Sequence, residues 1–301
     1  MRQVLPERFD QAWLVLLTER NTSRAGERLN LSQPAMSNAL ARLREYFEDE
    51  LLVQQGRKFF LTPRGESLVE PVREVLMSIE STIATKPVFE PRTASRVFSV
   101  VLSDFTMTVF IPELIRHLYE TAPGVRLDLR MLNDTPVAQL EEDGADLLII
   151  PAQYVSDEHP HLSLFQESHL CVTWEGNHRV RDGLTFENYL ECGHVVAQYA
   201  AGFKAPALDS WFLERFGVKR RIEITAPTLA ALPSLVVGTD RIATVHRRLA
   251  ERAAAFLPIK IWESPVEIPM MEQNMQWHRH RSNDPALQWL REQAVAVGAR
   301  I

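Results

Sequence analysis

Residues 22–43, TSRAGERLNLSQPAMSNALARL, constrain this chain more than any other stretch, because they read as two helices joined by a tight turn. Thr22 or Ser23 caps a short helix whose inward residues are Ala25 and Leu29, and Asn30 and Leu31 make the turn. Ser32 caps the second helix, with Pro34 in its first turn, where a missing N–H costs nothing. Met36, Leu40, Leu43 and Phe47 recur at helical spacing and predict a buried face. The other face carries Gln33, Ser37, Asn38 and Arg42. Short hydrogen-bonding groups near a helix N-terminus followed by a cation suit base edges and phosphate. An ordinary helical hairpin with a solvated face has the same periodicity, so the rest of the chain has to decide.

Charge leans the same way. The net charge is −6, yet residues 1–64 hold ten lysines and arginines against eight acids, or +2, and the remainder carries −8. A basic head can face phosphate while an acidic body stays away from it. Ahead of the motif, Phe9, Trp13, Leu16 and Leu17 form the stripe of a first helix. After it, residues 51–61 read as two short strands around Gly56, Arg57 and Lys58, the wing of a winged helix-turn-helix with a basic tip. Thr62-Pro63 opens a further helix with Leu68, Val72, Val75, Ile79 and Ile83 spaced by four and three. Such a seam is buried either on its own body or on another chain. Pro71 predicts a bend, and the proline-rich, aperiodic residues 85–95 read as a hinge.

From Arg96 the pattern alternates. Apolar strands at 97–102, 125–131 and 146–150 are separated by helices at 109–119 and 137–142. Further strands are predicted at 170–174, 194–197, 221–224, 242–245 and 260–262, with helices at 207–216, 229–237 and 247–255. A strand at 270–278 and a helix at 285–297 close the chain. Nearly continuous apolar strands between amphipathic helices indicate parallel sheets covered on both faces.

The run from Ala25 to Leu43, AGERLNLSQPAMSNALARL, with LTPRG at residues 61–65, resembles the signature of the LysR-type transcriptional regulators, and chain length and domain order match. Within that family the chain is most similar to the branch of the nodulation regulators and the regulators of naphthalene and salicylate breakdown. The resemblance implies an α/β protein with an all-α winged helix-turn-helix head at 1–61. A linker helix at 62–86 dimerises antiparallel, and a hinge spans 87–95. The effector domain at 96–301 has two doubly wound, periplasmic-binding-protein-like lobes, one at 96–165 and 268–301, the other at 166–267. The chain crosses between them near 163–168 and 263–269. Thr22, Ser23, Arg24, Gln33, Pro34, Ser37, Asn38, Arg42, Arg57 and Lys58 are then candidate DNA contacts. Gln54 stands where the family usually has arginine, so Arg57 or Lys58 would supply that phosphate contact.

Open α/β sheets bind ligands beyond the carboxyl ends of their strands. That places Ser103, Asp104, Phe105, Thr106, Asn133 and Pro151 of the first lobe, and Gln198, Phe203, Thr228 and His246 of the second, around a candidate effector site. Hydroxyls, an amide, a histidine and aromatic surface suit a small aromatic acid or substituted phenol better than a phosphate. The branch implies the same, its members responding to aromatic acids, phenols and flavonoids. Thr228, however, stands where some aromatic-acid sensors have histidine.

Catalysis is disfavoured. The chain has no glycine-rich phosphate loop, no metal-ligand spacing and no Gly-x-Ser-x-Gly elbow. His278 and His280 would share one face of a strand but lack a third ligand, and Asp104 reads as a cap or pocket wall. No cofactor is expected. Cys171 and Cys192 read as small buried residues in a reducing compartment. The expectation is a cytoplasmic activator, a dimer assembling to a tetramer, with double-stranded DNA, a small aromatic effector and RNA polymerase as partners and no membrane. A solute-binding receptor is the alternative.

Overall fold

The computed structural model describes residues 32–55, 58–83, 89–197 and 207–301. The chain divides into two compact units, Met1–Thr85 and Lys86–Ile301.

In the first unit, helix α1 (Gln33–Phe47) is followed by strands β1 (Leu52–Gln55) and β2 (Lys58–Leu61) and helix α2 (Pro63–Ile83). Ser32 caps α1 by accepting from the Ala35 N–H at 3.4 Å. Glu48, in the left-handed region with φ 51°, ends it. Met36, Leu40 and Leu43 are buried together with Leu51 and Leu52. Leu68, Val69 and Val72 of α2 pack on the same cluster. The front of the four-three seam is therefore occupied by the head itself. Val75 is 56% exposed and remains available to another surface.

The LTPRG motif has a local reason. Thr62 Oγ1 donates to Asp49 Oδ1 at 2.5 Å and accepts from the Gly65 N–H at 3.0 Å, capping α2. Asp49 Oδ1 also accepts from the Leu51 N–H at 2.7 Å. These hydrogen bonds, that from Thr62 foremost, hold the Asp49 carboxyl below its usual pKa. A Cβ on Gly65 would lie 2.5 Å from the Leu51 carbonyl oxygen, so the backbones approach too closely for any side chain.

The second unit contains two five-stranded sheets. The first lobe uses β3 (Val97–Leu102), β4 (Arg126–Met131), β5 (Leu147–Pro151), β6 (His161–Glu167) and, from near the C-terminus, β12 (Met271–Gln276), in the order β4-β3-β5-β12-β6. The second uses β7 (His169–Trp174), β8 (Gly193–Ala197), β9 (Ile222–Ala226), β10 (Arg241–His246) and β11 (Ile259–Glu263), in the order β11-β7-β10-β8-β9. Both sheets are mixed. β4, β3 and β5 run parallel, and β12 is antiparallel to both β5 and β6. β8 is parallel to β9 and β10, whereas β7 is antiparallel to β10 and β11.

Helices cover both faces: α3 (Asp104–Val109), α4 (Ile111–Thr121), α5 (Pro136–Glu141), α6 (Phe186–Glu191), α7 (Ala207–Phe216), α8 (Leu232–Leu235), α9 (Arg247–Ala254) and α10 (Pro285–Gly298). The continuous apolar strands follow from that sandwich. Phe98, Val100 and Leu102 face one core while Val101 faces another. Leu170 and Val172 likewise oppose Cys171. Both cysteines are free and buried, and burial pushes the Cys171 thiol up to about 12.

Several expectations are corrected. Residues 163–167, read as a crossing, belong to edge strand β6, and the chain passes to the second lobe at Ser168. The helix read at 109–119 is α4, two residues further on with Pro112 in its first turn, and the short α3 before it was not expected. The helix at 229–237 is the single turn α8. β12 ends at Gln276, so His278 and His280 share no strand face; His278 caps a 3-10 turn at Arg279–Arg281. Residues 89–95 are no free hinge. Phe89 packs on Trp289 of α10 at 5.1 Å, and Arg96 grips Asp284 at 2.8 and 2.6 Å.

Candidate functional site

On α1, Met36, Leu40 and Leu43 are buried, whereas Ser37, Asn38 and Arg42 are exposed together. The helix therefore turns hydroxyl, amide and guanidinium groups to solvent while its apolar stripe holds it to the head. Arg44 has another task. Its guanidinium donates to the Glu50 and Leu52 carbonyls at 2.8 and 2.7 Å, tying α1 to the start of the wing. Gln33 and Pro34 begin α1 and Lys58 begins β2, with Lys58 opposite Gln55 in the hairpin register. Thr22, Ser23, Arg24 and Arg57 lie outside the described residues.

The second candidate site lies where the two lobes meet, and Ser103-Asp104-Phe105-Thr106 belongs to it from the first lobe. Ser103 caps α3, its Oγ accepting from the Thr106 N–H at 3.2 Å and lying 3.1 Å from Thr106 Oγ1. Thr106 Oγ1 accepts from Gln273 Nε2 at 2.9 Å. Asp104 Oδ2 accepts from the Ala230 N–H at 2.6 Å, a direct bond from the first lobe to the second. Phe105 lies on the His246 ring, 4.0 Å between centroids, and His246 lies 4.8 Å from His169.

Within this group Asp104 Oδ1, Gln273 Oε1, His169 Nδ1 and His246 Nδ1 are buried without a hydrogen-bond partner. Buried polar groups are ordinarily paired, so four together call for an explanation. Burial keeps both imidazoles neutral: it pulls His169 down to about 4, helped by Arg220, and His246 well below its ordinary value, helped by His169. Arg220 itself donates to Tyr189 and Thr244.

Ser103, Asp104, Phe105, Thr106 and His246 thus come together, and Thr228 sits two residues from the Ala230 N–H. Asn133 does not join them. Its side-chain oxygen accepts from the Thr135 N–H at 2.8 Å in a local turn, and it is exposed. Pro151 ends β5 opposite Gln273. Gln198 and Phe203 lie outside the described residues. Sequence reasoning missed Gln273 and His169, although a glutamine inside the apolar alternation of MEQNMQW was a signal for an inward polar group.

A head with an exposed polar helix face followed by a two-lobed α/β unit defines the class of DNA-binding transcriptional regulators. Residues 11–66 match the bacterial regulatory helix-turn-helix protein, lysR family, and residues 91–299 the LysR substrate binding domain. Nodulation protein D from Bradyrhizobium sp. (strain ANU 289) is 41% identical over 92% of this chain and 81% of its own length. Nodulation protein D 1 from Bradyrhizobium elkanii is 40% identical over 94% and 91%. A probable transcriptional regulator from Pseudomonas aeruginosa superposes with TM-score 0.65 at 26% identity, covering 97% of both chains. Full-length OxyR from the same organism shares the fold, with TM-score 0.72 at 16% identity over 97% and 95%. The chain belongs to the LysR family of transcriptional regulators. Its relatives are regulators, and it is a regulator rather than an enzyme. Among the described residues no cluster could hold a metal ion, and no helix is long and apolar enough to cross a membrane.

Proposed function

We propose that this regulator activates transcription in response to a neutral, hydroxyl-bearing aromatic compound held between the lobes of its effector domain. The observation that carries the reading is the set of four unpartnered buried polar atoms beside the Phe105–His246 stack. A phenolic hydroxyl donates to Asp104 Oδ1, and its ring lies along the stacked pair. A ligand carboxylate there would meet Asp104 and imidazoles that stay neutral near pH 7. Because Asp104 and His246 belong to different lobes, a ligand between them favours one lobe arrangement over another, to the extent of its differential affinity.

The DNA half of the reading rests on Ser37, Asn38 and Arg42 of α1, with Gln33 at its start and the wing at Arg57 and Lys58 supplying further contacts. CbnR, whose fold this chain shares at TM-score 0.54, is known in complex with its target DNA, in keeping with that assignment. Dimers form through α2 at the exposed Val75, pair as tetramers, and engage RNA polymerase in the cytoplasm.

Two measurements test this. Ser37→Ala and Asn38→Ala should each weaken binding to a selected operator by about 1–3 kcal/mol per lost base contact, with little change on random DNA. Unchanged discrimination would remove α1 from base reading. In a thermal-shift screen, neutral phenols should stabilise the parent and not Asp104→Asn, whose operator affinity stays within a few-fold. Equal stabilisation of both proteins would move the effector elsewhere.

A further inference from the structure

Leu51 is a leucine in the left-handed region, with φ 59°, and its side chain is fully buried. Few side chains adopt that backbone, so the surrounding structure has to hold it there. The chain turns at this residue from the loop after α1 into β1, the first strand of the wing. Directed hydrogen bonds close around it. The Leu51 N–H donates to Asp49 Oδ1 at 2.7 Å, and its carbonyl accepts from the Thr62 N–H at 3.0 Å. The carbonyls on either side, of Glu50 and Leu52, accept from Arg44 Nε and Nη2 at 2.8 and 2.7 Å. Arg44 stands in the last turn of α1, where its own carbonyl accepts from the Glu48 and Asp49 N–H groups. One residue therefore joins the end of α1 to both flanks of the corner at which the wing begins.

We propose that Arg44 is a positioning residue for DNA binding: its guanidinium fork fixes the angle of the wing to α1 and so places the wing tip on phosphate, without touching DNA itself. This rests on the reading of Arg57 and Lys58 as phosphate contacts. The packing of Leu52, Phe59 and Leu61 in the head holds the hairpin down but has no direction of its own. A planar fork set on two carbonyls does have one. Leverage makes the direction matter. At ~3.3 Å per residue the end of β1 lies about 10 Å beyond Leu52, so a tilt of roughly 15° at the corner carries the tip about 2.6 Å. That is close to the whole length of a charge-assisted hydrogen bond. The Arg44 cation is itself already paired, with Glu50 Oε2 at 3.1 Å from Nη2.

The test is fluorescence anisotropy of a labelled duplex, selected from a random pool by the parent, titrated with full-length protein between about 50 and 200 mM KCl. Arg57→Ala with Lys58→Ala should flatten the dependence of log K on log salt by about two units. Arg44→Met should flatten it by the same amount, and combining all three substitutions should flatten it no further. Preference for the selected duplex over a random one should stay within a few-fold of the parent's in every variant that keeps α1 intact. Arg44→Lys, which keeps the charge without the fork, should behave as Arg44→Met does and decides the matter if the methionine variant fails to fold. Losses that add in the triple variant would mean that Arg44 meets phosphate itself. A parental slope in Arg44→Met or Arg44→Lys would make the fork dispensable, and loss of preference together with slope would leave Arg44 a merely structural role. Each of these overturns the assignment. A parental slope in the Arg57→Ala, Lys58→Ala protein is a different failure: it takes the wing off the DNA, and the role of Arg44 falls with it.

Discussion

Phe105 and His246 lie ring against ring, 4.0 Å apart and inclined by 32°, and each comes from a different lobe. The Asp104–Ala230 hydrogen bond stands one residue away, so the lobes are fastened by a stack and a charge-assisted bond side by side. Leu229 packs on the cores of both lobes and completes the contact.

Loosening that fastening should be measurable apart from DNA binding. Phe105→Leu keeps an apolar residue in a site that is 1% exposed but removes the stack, a loss of about 0.5–1.5 kcal/mol beyond area. Calorimetry of the full chain should show the effector domain melting a few degrees lower, with operator affinity within a few-fold. An unchanged melting temperature would mean that the stack contributes nothing to closure.

Stability should fall with acid. His169 titrates at about 4 and His194 at about 3 in the folded protein, against an ordinary value of 6.5. Between those values the unfolded chain binds more protons, so stability is complete above about pH 6.5 and declines below it. The limiting slope is about 1.4 kcal/mol per pH unit for each histidine. Comparing melting temperatures at pH 7.5 and 5.5 checks this, and His169→Gln should flatten the difference. A parent protein equally stable at both values refutes it.

Gly65→Ala tests why the LTPRG motif ends in glycine. The new methyl would sit 2.5 Å from the Leu51 carbonyl, backbone that cannot swing aside. Overpacking of this kind costs about 1–3 kcal/mol. DNA binding should weaken through a destabilised head, detectable as earlier unfolding of that unit alone. A head as stable as the parent's would show that Leu51 moves freely.

Among the described residues of α2, Leu68 and Val72 pack in the head and Val75 does not. Because Val72 packs within the head, a charge there would damage folding and report nothing about assembly. Val75, 56% exposed, is the discriminating position. Val75→Asp should shift sedimentation toward monomer at micromolar concentration while the head stays folded. A dimer of unchanged mass would place the interface elsewhere.

Local signals were legible where chemistry is local. Ser32 and Pro34 mark the start of α1, and Thr62-Pro63 the start of α2, because caps and prolines act within one turn. Four consecutive residues of the contact between the lobes, Ser103 to Thr106, were readable from one strand end. Gln273 and His169 were not, since each reaches the cleft beside a crossing between lobes, far from Ser103 in sequence. Strand sense was equally hidden. An apolar run states that both faces are covered but not which way its neighbours run, and the edge strand β6, exposed at His161, Leu162 and Ser163, lacks even that run.

The place of β12 has a bearing on biogenesis. It lies inside the first sheet, between β5 and β6, yet is made more than a hundred residues after them. The second lobe, by contrast, is one uninterrupted stretch from β7 to β11. On the ribosome the later lobe is therefore the first that can finish. The earlier one waits, with β5 and β6 unjoined, for the roughly 5–20 s that about a hundred residues of synthesis take. During that interval its open strands are the part of the nascent chain that most needs a chaperone.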